Sequence, residues 1–125
     1  MTPANRLTAE ILLAVSREFP DVKAWRSNVI AARAVGKDGR QRIVKAGIRG
    51  QADISGIVGP NGTRLEVEVK IPPDIQSVAQ IVFEKMITRA GGIYIIARNL
   101  EGTLRTIGHH ARRVRPERDH QEPGE

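Results

Sequence analysis

Between Arg64 and Ile71 the chain alternates strictly between charged and aliphatic residues. Leu65, Val67, Val69 and Ile71 fall on one side; Arg64, Glu66, Glu68 and Lys70 fall on the other. A period of two predicts a half-buried strand. Asp53-Ile54-Ser55-Gly56-Ile57-Val58 precedes it, and Gly59-Pro60-Asn61-Gly62 is a turn that folds this first limb back beside the second. The period is different elsewhere. Ile11, Leu12, Val15 and Phe19 recur at helical spacing and predict an amphipathic helix from Thr8, its N-cap, to about Phe19, stopped by Pro20 and Asp21. Val22 to Ala34 starts as a strand, with Trp25 expected in the core. Val35 to Arg42 is polar and glycine-rich and reads as a mobile loop. Ile43 to Ile48 fits either a short helix or a strand.

Ile71-Pro72-Pro73 ends the alternating strand. Asp74 or Ser77 then starts a helix running to about Arg89, with Ala79, Val82, Phe83, Met86 and Ala90 as its buried stripe and Gln80 one position off it. Gly91-Gly92 makes the C-terminal turn. Ile93 to Arg98 is an apolar run expected to be a strand buried on both faces. Leu100 to Thr103 reads as a turn and Leu104 to Ile107 as a last short strand. Residues 111–125 are charged, contain two prolines and lack apolar periodicity, so a disordered tail is expected behind one domain spanning residues 1–110.

Composition narrows the possible chemistry. A chain of 125 residues has room for one modest core, built here from Ile, Val, Leu and Ala because aromatics are few. There is no cysteine, which excludes disulfides, zinc fingers and thiol catalysis. The apolar runs are too short to span a bilayer, and no secretory h-region is visible, so a cytoplasmic location without membrane contact is expected. The net charge is +6, and residues 1–50 hold ten Lys/Arg against four Asp/Glu, whereas the later segments balance. An excess of positive charge ahead of an acidic hairpin fits contact with phosphates, although a basic pI is common in small proteins.

On the hairpin, Glu68 and Lys70 must point the same way, and Asp53 lies where it can approach Glu68 from the adjacent strand. Two carboxylates and a lysine on one sheet face are what metal-assisted phosphodiester cleavage needs. A hard cation such as Mg²⁺ or Mn²⁺ takes oxygen ligands. Asp53 and Glu68 are the candidate ligands, with the backbone carbonyl of Val69 as a third. Lys70 is the candidate for holding the attacking water or stabilising transition-state charge. The competing reading makes Glu66, Glu68 and Lys70 the solvated face of a surface hairpin. Arg26 is a candidate phosphate contact, and Asn28 could order the pocket. Lys37, Arg40, Arg42 and Lys45 could contact phosphates from the glycine-rich segment, and Arg49 leads into the site. Gly50 and Gly56 bracket Asp53 and would admit close approach of substrate, or serve turn geometry alone. His109 and His110 have no ligand partner spaced with them.

Asp53 followed fifteen positions later by Glu68-Val69-Lys70 resembles the PD-(D/E)xK nucleases, and the wider pattern is similar to their VRR-NUC branch. The resemblance covers roughly residues 8 to 98. It includes Gly50-Gln51-Ala52-Asp53-Ile54-Ser55-Gly56, the Glu66-Val67-Glu68-Val69-Lys70 strand, Gln80, and Ala90-Gly91-Gly92-Ile93-Tyr94. Ala52 stands where that family often has Pro. The resemblance implies an α/β fold with a mixed β-sheet flanked by helices and a restriction-endonuclease-like core. It implies Asp53, Glu68, Lys70 and Gln80 as catalytic residues, and Glu10 on the first helix as a possible metal neighbour. It further implies a homodimer that cuts branched DNA or four-way junctions, in a phage or its bacterial host. The alternative is a non-catalytic basic DNA-binding module of the same fold.

Overall fold

The computed structural model describes residues 1–27 and 30–114, leaving aside the side chains of 30–34, 42–46 and 113–114. Helix α1 (Pro3–Glu18) leads into strand β1 (Val22–Arg26). Strands β2 (Ile30–Val35) and β3 (Gln41–Ala46) follow, then β4 (Ile54–Val58) and β5 (Thr63–Val69). Helix α2 (Val78–Arg89), strand β6 (Ile93–Ala97) and helix α3 (Leu100–Val114) complete the described chain.

Four strands make a mixed sheet in the order β1-β4-β5-β6. The first two pairings are antiparallel, and β5 runs parallel to β6. That parallel pair needs a crossover, which α2 supplies. Ile54 pairs with Val67 and Val58 with Thr63, so the expected hairpin forms in the expected register. β2 and β3 form a separate two-stranded sheet.

Helices cover both sides of the four-stranded sheet. On one side Leu7, Ile11 and Val15 of α1 and Ile107 of α3 pack with Ile54, Val58, Leu65, Val67, Val69, Ile93, Ile95 and Ala97. On the other, Phe83 and Ile87 of α2 pack with Ala52 and Tyr94 in a smaller cluster. This two-sided covering explains why Glu66 and Glu68, on the face opposite Leu65 and Val67, are also buried. The fold is thus mixed α/β, with a four-stranded mixed sheet flanked by helices.

Several sequence expectations change. α1 begins at Pro3, not Thr8: Thr2 is the N-cap, accepting from the Asn5 N–H, and Thr8 is buried inside the helix with its hydroxyl donated to the Ala4 carbonyl. The glycine-rich segment is the turn of the β2–β3 hairpin, held by Gly36 N–H to Arg40 O at 2.9 Å. Residues 43–46 are strand. The stripe of α2 is rotated from the expected one. Phe83 and Ile87 are buried, while Val82, Met86 and Ala90 are exposed. β6 is buried fully only at Ile93, Ile95 and Ala97.

The chain after Leu100 is helix rather than turn and strand. Asn99 caps α3, its side chain accepting from Gly102 N–H at 2.7 Å, and Thr103 donates its hydroxyl to the Asn99 carbonyl. Leu100, Leu104, Ile107 and Ala111 repeat at helical spacing against the core, so packing outweighs the low helix propensity of Gly102 and Gly108. The helix continues to Val114, so it takes in residues 111–114 of the expected tail; residues 115–125 and Asn28 lie outside the described residues.

Candidate active site

Residues paired across a sheet share a face, and the register sorts the site into rows. Trp25, Ser55, Glu66 and Tyr94 form one row across β1, β4, β5 and β6. Lys23, Ile57 and Arg64 form the row on one side of it. On the other side, Ser27, Asp53 and Glu68 continue the pattern where β1 and β4 give way to loops. Ser27 N–H donates to the Asp53 carbonyl at 2.8 Å, and the Asp53 carboxylate Oδ2 accepts from Val69 N–H at 2.8 Å. This second bond pins Asp53 to the strand that carries Glu68.

Glu68 is 3% exposed. Its Oε2 accepts from Gln80 Nε2 at 2.8 Å and lies 3.6 Å from Lys70 Nζ. Its Oε1 is buried with no hydrogen-bond partner. Burial pushes the Glu68 carboxyl from 4.5 up to about 7, and repulsion from Asp53 adds to this; Lys70 opposes both. The backbone N–H of Lys70 donates to the Ala97 carbonyl at 2.9 Å, which anchors the lysine at the end of β5.

Gln80 reaches Glu68 because of how α2 starts. Ser77 is the N-cap, its hydroxyl accepting from Gln80 N–H, while the Gln80 side-chain oxygen accepts from Ser77 N–H at 2.8 Å. This capping box ties up one end of the amide and points the other at Glu68. Gln80 lies three residues before Phe83 and seven before Ile87, so it belongs to the true buried stripe of α2. Gly50 holds the start of α2 in place. Its φ is 78°, and a Cβ there would stand 2.2 Å from the Ala79 carbonyl oxygen. Gly56 similarly faces the Lys23 carbonyl. The two glycines thus admit neighbouring backbone.

Beside the site lies a polar chain that was not legible from residue types. Ser27 Oγ and Ser55 Oγ are 2.6 Å apart, Ser55 donates to Glu66 Oε1 at 3.2 Å, and Arg64 Nε donates to Glu66 Oε2 at 2.7 Å. Glu66 is fully buried yet satisfied at both oxygens. The hairpin register alone would have paired Ser55 with Glu66. On the far side of Glu68, Gln76 donates to both Glu84 and the Tyr94 hydroxyl. Burial pushes the Tyr94 phenol up to about 12.

The structure therefore brings together Asp53, Glu68, Lys70 and Gln80, with the Val69 backbone beside them. It does not bring in Glu10, which is exposed on α1 while that helix packs on the opposite side of the sheet. Among the described residues no cluster of three or more His, Asp or Glu side chains could hold a metal. Arg26 is exposed but alternates onto the face of Ile54 and Val67, away from Glu68. Lys37 and Arg40 are exposed in the β2–β3 turn, and Arg49 is exposed ahead of α2. Arg42 and Lys45 lie on β3, with side chains outside the described residues. Trp25, expected in the core, is 46% exposed. No helix among the described residues is long and apolar enough to cross a membrane.

Chemically, the arrangement offers two carboxylates and a backbone carbonyl as hard oxygen donors, with one cation beside them. The buried Glu68 Oε1, which has no hydrogen-bond partner, is a donor atom that fits a hard cation, since an unsatisfied buried carboxylate oxygen is costly. No family model, curated protein or solved structure matches the chain.

Proposed function

We propose that this chain is a Mg²⁺- or Mn²⁺-dependent DNA endonuclease of the PD-(D/E)xK type, similar to the VRR-NUC branch. One observation carries the reading: a buried glutamate, raised to about 7 and with one oxygen unpartnered, lies between an aspartate at the end of the adjoining strand β4 and a lysine two residues on at the end of its own strand. Placing two carboxylates together without compensation is unfavourable, and such arrangements cluster at functional sites.

Asp53, Glu68 and the Val69 carbonyl would hold the cation, which supplies charge neutralisation of the scissile phosphate and acidifies the attacking water. Asp53 is oriented by Val69 N–H, and Glu68 by Gln80. Both ligands are thus set before substrate arrives, which limits the reorganisation needed in the reaction. Lys70 stands on the same face, where its ammonium can orient the water and offset charge on the phosphate. The basic excess of residues 1–50 would neutralise neighbouring phosphates. Branched DNA as the preferred substrate and a homodimer as the working form follow from the family resemblance.

The test is incubation of the purified protein with labelled duplex, flap and four-way-junction DNA, with Mg²⁺, Mn²⁺ or EDTA, beside Asp53→Ala and Lys70→Ala. Metal-dependent cutting that both substitutions abolish in folded protein supports the reading. Binding of junctions without cutting moves the assignment to the non-catalytic DNA-binding module.

A further inference from the structure

The face that carries Glu68 is only partly covered by α2. Toward β1 several of its side chains reach solvent, although Ser55 of β4 is buried. Trp25 is 46% exposed and Ile57 40% exposed, and Lys23 and Arg64 are also exposed there. Lys23, Ile57 and Arg64 make one row, and Trp25 stands in the next, beside Ser55. Trp25 thus presents nearly half of a large aromatic surface to solvent. Lys23 stands two residues before it on the same face of β1, and Arg64 lies two strands away in the same row as Lys23.

Two further observations identify what fits. Arg64 spends its Nε on buried Glu66, no other side-chain hydrogen bond or ion pair holds it among the described residues, and its side chain is 48% exposed. Lys23 has no ion pair among the described residues. The patch therefore combines a π-face with two exposed cations, the pairing of base stacking and phosphate contact by which proteins hold single strands. Its place in the sheet also matters. Trp25 is one strand and two residues from Asp53, about 8 Å between Cα atoms by ordinary sheet spacing. That is close to the reach of one nucleotide along an extended strand.

We infer that Trp25 stacks an unpaired base of the nucleic-acid strand entering the Asp53–Glu68 site, with Lys23 and Arg64 holding its phosphates. The inference rests on the nuclease reading for what the strand approaches, but the contact itself requires no cleavage. It assigns the open end of the sheet to an unpaired segment, such as a flap or the splayed arm of a branch, and not to blunt duplex.

Trp25 is the chain's one tryptophan, so its fluorescence reports this contact alone. The wild-type protein is titrated in EDTA with a dT oligonucleotide, an rU oligonucleotide and a blunt duplex. Binding is followed by tryptophan quenching and by anisotropy of labelled nucleic acid. Quenching should saturate with the single strands and not with the duplex. Trp25→Ala should weaken single-strand binding about tenfold, Trp25→Phe should retain most of it, and duplex binding should change little. Lys23→Ala should lower the salt dependence of binding. A preference for dT or rU names DNA or RNA as the strand.

Three results overturn the inference: unaltered fluorescence on saturation with single strands, equal losses on single strand and duplex in Trp25→Ala, or fluorescence that tracks protein concentration. The last would make the patch a self-association surface. Because binding is read in EDTA, a saturable Trp25 signal from protein that cuts nothing once Mg²⁺ or Mn²⁺ is added would sink the enzymatic reading and leave the stacking contact standing.

Discussion

Gln80 donates to Glu68 across 2.8 Å while its own side-chain oxygen accepts the Ser77 N–H at the start of α2. One amide thus joins a helix cap to the carboxylate at the centre of the site. Gln80→Ala should lose both contacts and destabilise the protein by about 1–2 kcal/mol. Ser77→Ala should cost about 1 kcal/mol and disturb Glu68 less, since it leaves the Gln80–Glu68 bond in place. Urea unfolding of the two variants makes the comparison, and equal effects on the titration of Glu68 would contradict the bridging role.

The Glu68 value of about 7 has a consequence for stability. Its folded-state value is raised above 4.5, so its contribution is fully present below about pH 4.5 and lost as the pH rises through about 7. In EDTA, stability should fall between about pH 5 and pH 8, by at most on the order of 3 kcal/mol through this group. Glu68→Gln should flatten that fall. Adding Mg²⁺ at about pH 8 should restore stability in the wild type and not in Glu68→Gln. Thermal unfolding across pH, with and without the metal, reads all three; a pH response that Glu68→Gln leaves unchanged would place its origin elsewhere.

Asp53→Asn removes the second-largest cause of the Glu68 shift while preserving much of the shape. The Glu68 titration midpoint should move down, as seen by carboxyl NMR. On the nuclease reading proposed above, metal-dependent cleavage should fall at least about a hundredfold. A lowered midpoint with cleavage intact would separate Asp53 from the chemistry.

Gly50 and Gly39 make a matched pair. Both have positive φ, 78° and 77°, but a Cβ at Gly50 meets the backbone of Ala79 and Gln80, whereas one at Gly39 meets nothing within 4 Å. Alanine at Gly39 should cost about 1 kcal/mol from backbone strain alone. Gly50→Ala should cost clearly more and should weaken the Gln80–Glu68 contact, because α2 must move. Similar costs at the two sites, in the same unfolding experiment, would show that the approach of Gly50 to α2 is readily relaxed.

Much of the candidate site was legible locally. The alternation of Leu65 to Ile71 places Glu66, Glu68 and Lys70 on one face, and the Gly59–Gly62 turn sets Asp53 across from Glu68. Such features depend on residues within one hairpin, where a period of two and a short turn leave few arrangements. Other features depend on which segment covers which face. Glu66 and Glu68 of the hairpin's charged row are buried, because α2 returns over that face after the crossover. Gln80 joins that row, because the helix turns Phe83 and Ile87 inward and leaves Val82 and Met86 out. Glu10 is kept from the site, since α1 packs on the other side of the sheet. The segment after Leu100 is helical, because its apolar stripe meets a core contributed by distant strands. Trp25 is exposed, because α2 stops short of β1. Sequence periodicity determined the hairpin and the carboxylate pair; tertiary packing decided what was buried, since burial is set by segments far apart along the chain.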